Sequence, residues 1–276
     1  MNSEELLVAL AIKYDGDWES IMQALQYKKL DDKYEDDEKL FQDKYADLES
    51  YLEKAKNADY KYTTILSEDY PSILREQYMP PFVLFYHGDL SLLNKIGNNV
   101  GVVGSRECSS YGEDMTRTIV STVAKRFTIV SGLAIGIDTI AHETALKEGG
   151  NTIAVLGGGI DYCYPLRNRK LYEKIKATNL VISEYPGNVL PQPDNFPRRN
   201  RIIAMISRGI IVTEAYAHSG TLTTVMFALQ CQRLILCVPY PATANSECNR
   251  LIAEGAYLIE NGNQAIEILE RDIHIY

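Results

Sequence analysis

The sequence has 276 residues, of which 46% are apolar and 24% are charged, and its net charge is −9. A chain of this size and apolar content can bury a large core, which excludes a mainly disordered chain and predicts one or two domains. The apolar runs have the length of strands and the N-terminus lacks a hydrophobic signal core, so we expect a soluble cytoplasmic protein without a membrane partner. The five cysteines form no C-x-x-C pair, which predicts neither a disulfide nor a metal site.

The negative charge is unevenly distributed along the chain. Residues 1–60 carry 16 acidic and 8 basic side chains, whereas residues 158–209 carry 9 basic and 4 acidic ones. Local potential, rather than net charge, decides where a polyanion binds. The composition is therefore compatible with nucleic-acid binding by the later part of the chain.

The first 60 residues show apolar residues at helical spacing and predict a small helical module. The acidic stretch Asp31–Glu38 is interpreted as a loop or as the solvated face of a helix. Prolines and a short apolar run at 82–86 follow, and this run predicts a strand closed by a turn. We place the domain boundary near residue 60 and assign residues 61–276 to a second domain.

Beyond Asn98 the pattern repeats as an apolar run, a turn with glycine and an amphipathic helix. Such alternation predicts an α/β fold with a mostly parallel sheet, right-handed crossovers and helices on both faces. Ligands of these sheets bind at the carboxyl ends of the strands, where the polar turns of this sequence fall. The predicted strands are 99–104, 128–131, 152–156, 180–183, 210–214 and 234–238.

The turn after the first of these strands, Gly101-Val-Val-Gly-Ser-Arg, predicts a helix start that could hold an anion. It does not match G-x-G-x-x-G, and the next strand ends in Ser-Gly instead of a carboxylate, so we expect no bound dinucleotide and no cofactor. Ser105, Arg106 and Ser109 are the candidate phosphate donors. In the alternative, the serines cap the helix and Arg106 is solvated.

Two further segments combine cations with aromatic or apolar residues. The turn that contains Tyr162 and Tyr164 is followed by Arg167, Arg169 and Lys170, an arrangement typical of surfaces that stack bases and neutralise phosphates. In the alternative, the tyrosines pack in the fold and the cations are solvated.

Arg198, Arg199 and Arg201 precede an apolar run, at a predicted helix start where positive charge is unfavourable unless an anion binds. They also are candidate DNA contacts, ranked below Arg106. In the alternative, they pair with acidic residues of the fold such as Glu184 or Glu214.

The sequence contains no recognisable catalytic motif. There is no G-x-S-x-G, Walker loop or H-E-x-x-H, and no nucleophile lies at motif spacing from a histidine. His142 falls inside a predicted helix and is interpreted as structural. The turns also carry four carboxylates, which we expect to orient the arginines. They are Asp138, Asp161, Glu184 and Glu214.

Six segments together resemble the DNA-processing protein A (DprA, also called Smf) family. This resemblance implies an extended Rossmann-like domain that binds single-stranded DNA and is not an enzyme. It further implies that the protein protects incoming DNA and helps to load a RecA-type recombinase during natural transformation. The segments are GSRECSSYG (104–112), SGLAIGIDTIAH (131–142), GGGIDYCYP (157–165), ISEYPGNVLPQPDNFPRRNRIIA (182–204), VTEAYAHSGTLTT (212–224) and CNRLIAEGA (248–256).

The resemblance also assigns roles to individual residues. It points to Arg106 and to the basic residues after Tyr-Pro as DNA contacts, although Leu166 stands where many members have lysine, so the role passes to Arg167 or Arg169. The N-terminal module is similar to the sterile-alpha-motif-like domain of some members. A homodimer is implied, with an interface formed by Asn249, Leu251, Ile252 and Leu258.

Two other functions remain open from the sequence. A phosphoribohydrolase has a similar core, but its P-G-G-x-G-T-x-x-E signature is missing and Ser219-Gly-Thr-Leu-Thr stands in the nearest place. A protein scaffold that recruits partners through residues 1–60 is the second alternative. Binding of single-stranded against double-stranded DNA, and release of base from nucleotides, would separate the three functions.

Overall fold

A computed structural model of the protein describes residues 1–31, 47–93 and 97–271. Most of the predicted acidic stretch 31–38 lies outside these residues. The N-terminal part contains three helices, α1 (Ser3–Lys13), α2 (Trp18–Asp31) and α3 (Leu48–Lys56). A capping box starts α1, because Asn2 Oδ1 accepts from Glu5 N and Glu5 Oε2 accepts from Asn2 N, both at 2.9 Å.

The N-terminal helices pack directly on the sheet domain. Leu10 of α1 and Leu52 of α3 belong to the same buried cluster as Phe85 and Val181 of the sheet. Gly16 has φ of 78° and lies so close to the backbone of Glu184 that a side chain there would overlap the Glu184 carbonyl. The change from helices to strands falls near residue 60, but the apolar core continues across it.

The described residues form one nine-stranded sheet, in the order β1-β2-β6-β5-β4-β3-β7-β8-β9. Strand β1 pairs antiparallel with β2, and β2 pairs antiparallel with β6, whereas the six other pairings are parallel. The predicted fold class is confirmed. The six strands predicted beyond Asn98 differ from the observed ones by at most one residue at an end, the run predicted at 82–86 corresponds to a strand at 83–88, and the sequence pattern did not predict the strands at 61–64 and 257–258. The strands are β1 (Lys61–Thr64), β2 (Val83–Gly88), β3 (Asn99–Gly104), β4 (Thr128–Ser131), β5 (Thr152–Val155), β6 (Leu180–Ser183), β7 (Gly209–Glu214), β8 (Leu234–Cys237) and β9 (Tyr257–Leu258).

Helices cover both faces of the sheet, as predicted. Helices α5, α6, α7 and α11, with the N-terminal helices, bury one face, and α4, α8, α9 and α10 bury the other. No helix in the described ranges is long and apolar enough to cross a membrane. The helices after α3 are α4 (Ser72–Arg75), α5 (Ser110–Val123), α6 (Ile137–Lys147), α7 (Arg169–Thr178), α8 (Asn195–Ile206), α9 (Gly220–Gln230), α10 (Glu247–Ala253) and α11 (Gly262–Arg271), and 3-10 turns lie at Leu90–Leu92 and Leu166–Asn168.

The chain order reverses at β3, which has β4 on one side and β7 on the other. The loops that leave neighbouring strands diverge at such a point and leave a crevice at the carboxyl ends of the strands. The topology therefore places the loops after β3, β4 and β7 around one recess.

Candidate functional site

A recess of about 710 Å³ opens at this switch point. Its walls are the loops after β3 and β7, the start of α6 and the first two turns of α8. Arg106 and Arg199 both line the recess, and Asp138 lies between the loops at its base. We call this the switch-point recess.

An aromatic layer borders the switch-point recess. The Arg106 guanidinium carbon lies 5.4 Å from the ring centroid of Phe196, and the Phe196 ring lies 5.7 Å from that of Tyr164. Tyr164 is 47% exposed and Arg106 is also exposed. Gly157 permits this packing, because a side chain there would lie 2.9 Å from the Phe196 ring. A cation and two rings thus form a surface on which a planar group can stack.

The start of α5, predicted to hold a phosphate, already holds a carboxylate of the protein. Ser109 N donates to both carboxylate oxygens of Glu214, at 3.1 and 3.0 Å, and Ser109 Oγ donates to Oε2 at 2.8 Å. Ser109 also caps the helix, since its Oγ accepts from Gly112 N, and Ser105 Oγ accepts from Glu107 N. The geometry supports the capping alternative for Ser109, whereas Ser105 stabilises the turn before the helix, and Arg106 is the cation of this turn that faces the recess.

Glu214 is fully buried and is held by hydroxyl groups as well. Tyr216 OH donates to its Oε1 at 2.5 Å and Tyr240 OH donates to Oε2 at 3.0 Å. The bond to Glu214 raises the pKa of Tyr216 to about 12, and burial raises that of Tyr240. The expectation that Glu214 orients an arginine is wrong, because its partners among the described residues are Ser109 and the two tyrosines.

Helix α8 begins at Asn195, so Arg198 closes its first turn and Arg199 and Arg201 lie in its second turn rather than at the helix start. Arg201 is buried and donates from Nη2 to Glu184 Oε1 at 2.5 Å, as the pairing alternative predicts. Arg198 pairs with the N-terminal helices, at 3.2 Å from Asp17 and 3.0 Å from Glu19. Two of the three cations therefore have carboxylate partners within the fold.

Arg199 differs from its neighbours because it lines the switch-point recess while being buried. Its Nη1 donates to the carbonyls of Gly132, at 2.6 Å, and Val155, and its Nε donates to Asn200 Oδ1 at 3.0 Å. Burial is the main reason that the pKa of Arg199 falls to about 10. The positive charge of Arg106 contributes to this decrease, whereas the Asp138 carboxylate opposes it. Arg199 is still cationic at neutral pH, and its charge adds to that of Arg106.

The base of the recess carries Asp138, whose Oδ2 accepts from Gly132 N at 3.1 Å and from Ala134 N at 3.3 Å. Burial raises the pKa of Asp138, and the Arg199 guanidinium opposes this shift. Asp138 acts on Arg199 through its charge, and the prediction that it orients an arginine stays a prediction. Asp161 differs from that prediction, since its partners are His87 Nε2 at 2.7 Å and Lys176 at 4.0 Å.

The start of α9 is a feature that the sequence reasoning missed. Ser219 is the N-cap and its buried Oγ has no hydrogen-bond partner among the described residues. Gly220 and Thr221 follow at the wall of the recess, and a side chain on Gly220 would meet open space. The first N–H groups of a helix attract anions. The available signal was the Ser-Gly-Thr run before an apolar helix.

The cations after Tyr-Pro lie beside the recess rather than in its wall. Arg167 is in the 3-10 turn and Arg169 and Lys170 begin α7, and all three are exposed. Asn168 anchors this turn, because its Nδ2 donates to Leu133 O at 2.9 Å and to Thr139 Oγ1 at 2.8 Å. The structure therefore brings the three cations to the turn that also carries Tyr164.

The predicted interface residues lie in different environments. Leu251 is buried in the core. The Asn249 side chain forms two hydrogen bonds of 2.9 Å with the backbone of Tyr240: its Oδ1 accepts from Tyr240 N, and its Nδ2 donates to Tyr240 O. Ile252 is half-buried and Leu258, on the outer strand β9, is 46% exposed. Leu258 and Ile252 are the two that could reach a second chain. No group of three or more metal-ligating side chains occurs within the described ranges.

His142 is buried in α6, in agreement with its structural interpretation, and Thr152 Oγ1 lies 2.6 Å from its Nδ1. Burial, with a contribution from Arg199, lowers the pKa of His142 from 6.5 to about 3. The unfolded chain then binds one more proton than the folded chain between about pH 3 and 6.5, so stability falls as pH falls through this window.

We expect the His142→Gln variant to lose less stability on acidification than the wild type. The difference between the slopes is about 1.4 kcal/mol per pH unit at most. Urea denaturation at several pH values measures it. Equal slopes in the two proteins would mean that His142 does not contribute.

The sheet topology and the cation-lined switch-point recess define a Rossmann-like α/β protein with a crevice at the carboxyl ends of its parallel strands. The model of the family "DNA recombination-mediator protein A" matches residues 61–270. The chain belongs to this family.

Relatives match most of the chain. It is 39% identical over 233 residues to DNA processing protein DprA of Streptococcus pneumoniae, and this match covers 84% of the present chain and 82% of the relative. It is 42% identical over 224 residues to Protein Smf of a Synechocystis species, which covers 79% of this chain but only 56% of that relative.

Solved structures show the same fold. The X-ray structure of DprA from Streptococcus pneumoniae matches with a TM-score of 0.80 and 35% identity, and covers 95% of each chain. A DNA processing protein A from Helicobacter pylori, described for its single-stranded DNA binding mode, matches with a TM-score of 0.69 and 29% identity, covering 80% of this chain and all of that one.

Proposed function

We propose that the protein binds single-stranded DNA at the switch-point recess and does not act as an enzyme. The observation that carries this proposal is the layer of Arg106, Phe196 and Tyr164 beside the buried cation Arg199. Cations neutralise phosphates, and rings stack unpaired bases without regard to sequence. The single-stranded DNA binding of the Helicobacter pylori relative supports the same ligand.

The proposed contacts have distinct roles. Arg106 binds a phosphate directly, Arg199 adds positive potential from the wall, and the start of α9 offers backbone N–H groups. The positive surface continues beside Tyr164 through Arg167, Arg169 and Lys170. These cations compensate for the positive charge that is missing at Leu166, where many family members have lysine. Ser105 and Ser109 hold the turn of Arg106 in place, while Arg198 and Arg201 position α8 through their carboxylate partners.

In the cell, this activity would protect incoming DNA in the cytoplasm and help to load a RecA-type recombinase during natural transformation. A homodimer would place two recesses on one strand and increase avidity. Apolar side chains at the β8–β9 side of the sheet support such an interface: Leu258 and Tyr257 of β9 are each 46% exposed, and Met226 and Leu229 of α9 are also exposed.

A titration by fluorescence anisotropy tests the proposal. Labelled oligothymidylate is expected to bind more tightly than a duplex of equal length, and log K should fall with log salt by about 0.7 for each phosphate neutralised. Equal affinity for both DNAs, or no binding, would contradict the proposal. Release of base from nucleoside monophosphates would favour the phosphoribohydrolase alternative, and absence of both activities would favour the scaffold.

A further inference from the structure

A second recess, of about 900 Å³, lies between the N-terminal helices and the sheet domain. Its walls are the end of α1, one face of α3 and the loop after β6. We call it the tyrosine groove after the four phenol rings that line it. These are Tyr14, Tyr51, Tyr60 and Tyr185.

Two lysines lie on one of these rings. Lys54 Nζ is 4.5 Å and Lys13 Nζ is 5.7 Å from the ring centroid of Tyr51. Lys13 also pairs with Asp47 at 2.7 Å, so much of its charge is neutralised. Tyr51 is half-buried, so part of its surface stays open to the groove. A groove that is lined by aromatic rings and carries little net charge favours the stacking of bases over the binding of phosphates.

The remaining lining adds hydrogen-bonding groups more than charge. Asn188, Gln192 and Asn195 contribute amides that can donate and accept. Asp17 lines the groove as well, but its carboxylate pairs with Arg198 at 3.2 Å. Asp15 is the other acidic group in the wall. Such a lining suits the bases of a nucleic acid, which are planar, uncharged and rich in donors and acceptors.

The tyrosine groove adjoins the switch-point recess. Asn195 lines the groove, and the next residue, Phe196, lines the recess and carries the Arg106 guanidinium. Both residues belong to the first turn of α8. A strand that leaves the recess across this turn enters the groove.

We propose that the tyrosine groove is a second subsite for single-stranded DNA, where bases stack on the half-buried rings of Tyr51 and Tyr14. This subsite rests on the proposed function, since it extends the strand bound at Arg106. It gives the N-terminal helices a direct part in binding. Its contribution is stacking, so it adds affinity without adding much salt dependence.

The test compares oligothymidylates of about 4 and about 16 nucleotides. Tyr51→Ala is expected to bind the long strand about tenfold more weakly and the short strand as the wild type does. Tyr51→Phe keeps the ring and should bind like the wild type. Tyr78→Ala is the matched control, because Tyr78 is 83% exposed and lines neither recess.

The outcomes separate the two proposals. Unchanged binding of the long strand by Tyr51→Ala would overturn the second subsite. An equal loss of affinity in Tyr51→Phe would also overturn it, as would a salt slope that decreases by about one in Tyr51→Ala. If Arg106→Ala still weakens binding in those cases, the switch-point site stands without the groove. Weak binding of the long strand by Tyr78→Ala would also count against a specific role of Tyr51. Thermal unfolding of each variant shows whether it is folded.

Discussion

Arg106→Ala is expected to weaken binding of single-stranded DNA by about 10- to 100-fold, which corresponds to about 1.5–3 kcal/mol for a bond between charged groups. Arg106 is exposed at the mouth of the switch-point recess, where a phosphate can reach it without displacing a carboxylate. The loss should be similar for all sequences, and the salt slope should decrease by about one. Anisotropy titrations at several salt concentrations measure both quantities.

Two variants show whether the position or only the charge matters. Arg117→Ala removes an exposed arginine of α5 that pairs with Glu113, and it should bind nearly as well as the wild type. Arg106→Lys keeps the charge but loses the planar group over Phe196, so we expect an intermediate loss. If Arg106→Ala and Arg117→Ala weaken binding equally, the recess is not the binding site.

Glu184→Ala is expected to lower the free energy of unfolding by about 3–5 kcal/mol, because it leaves the buried Arg201 guanidinium without its carboxylate. Both side chains are at most 6% exposed. Urea denaturation measures the loss. The matched control is Glu270→Ala, which breaks the exposed pair with Arg126 and should cost at most about 1 kcal/mol.

The same pair tests the role of Arg201 in DNA binding. Replacing both members, as in Glu184→Leu with Arg201→Met, should restore much of the stability lost by Glu184→Ala, since apolar residues of similar volume can replace a buried pair. If the double variant binds DNA like the wild type, Arg201 is a structural residue. A decrease in its salt slope by about one would instead return Arg201 to the set of phosphate contacts.

The arginine segment shows why sequence proximity does not define a site. Arg198, Arg199 and Arg201 lie within four positions, yet they face the N-terminal helices, the recess and the core. Successive residues of a helix are turned by about 100°, so neighbours point in different directions. A functional cluster on α8 consequently combines residues such as Phe196 and Arg199, at helical spacing.

Local patterns in the sequence determined the secondary structure and the fold class. Six of the nine strands in the described residues were predicted to within one residue at an end, because parallel strands buried on both faces are short apolar runs bounded by turns, whereas the outer strands β1 and β9 were missed. The position of the candidate site also followed, since ligands of such sheets bind where the parallel strands end. Arg106 could be placed there because it directly follows β3.

Only the tertiary structure decided which polar groups pair with each other. Glu214 fills the start of α5 from a strand more than 100 residues away in sequence, which leaves the start of α9 open to the recess. The sequence predicted an anion site at the start of α5 and missed the start of α9, because the hydrogen-bond partners of a helix start depend on distances in space that local sequence patterns do not contain. The tyrosine groove has the same origin, as the docking of α1 and α3 beside α8 creates it.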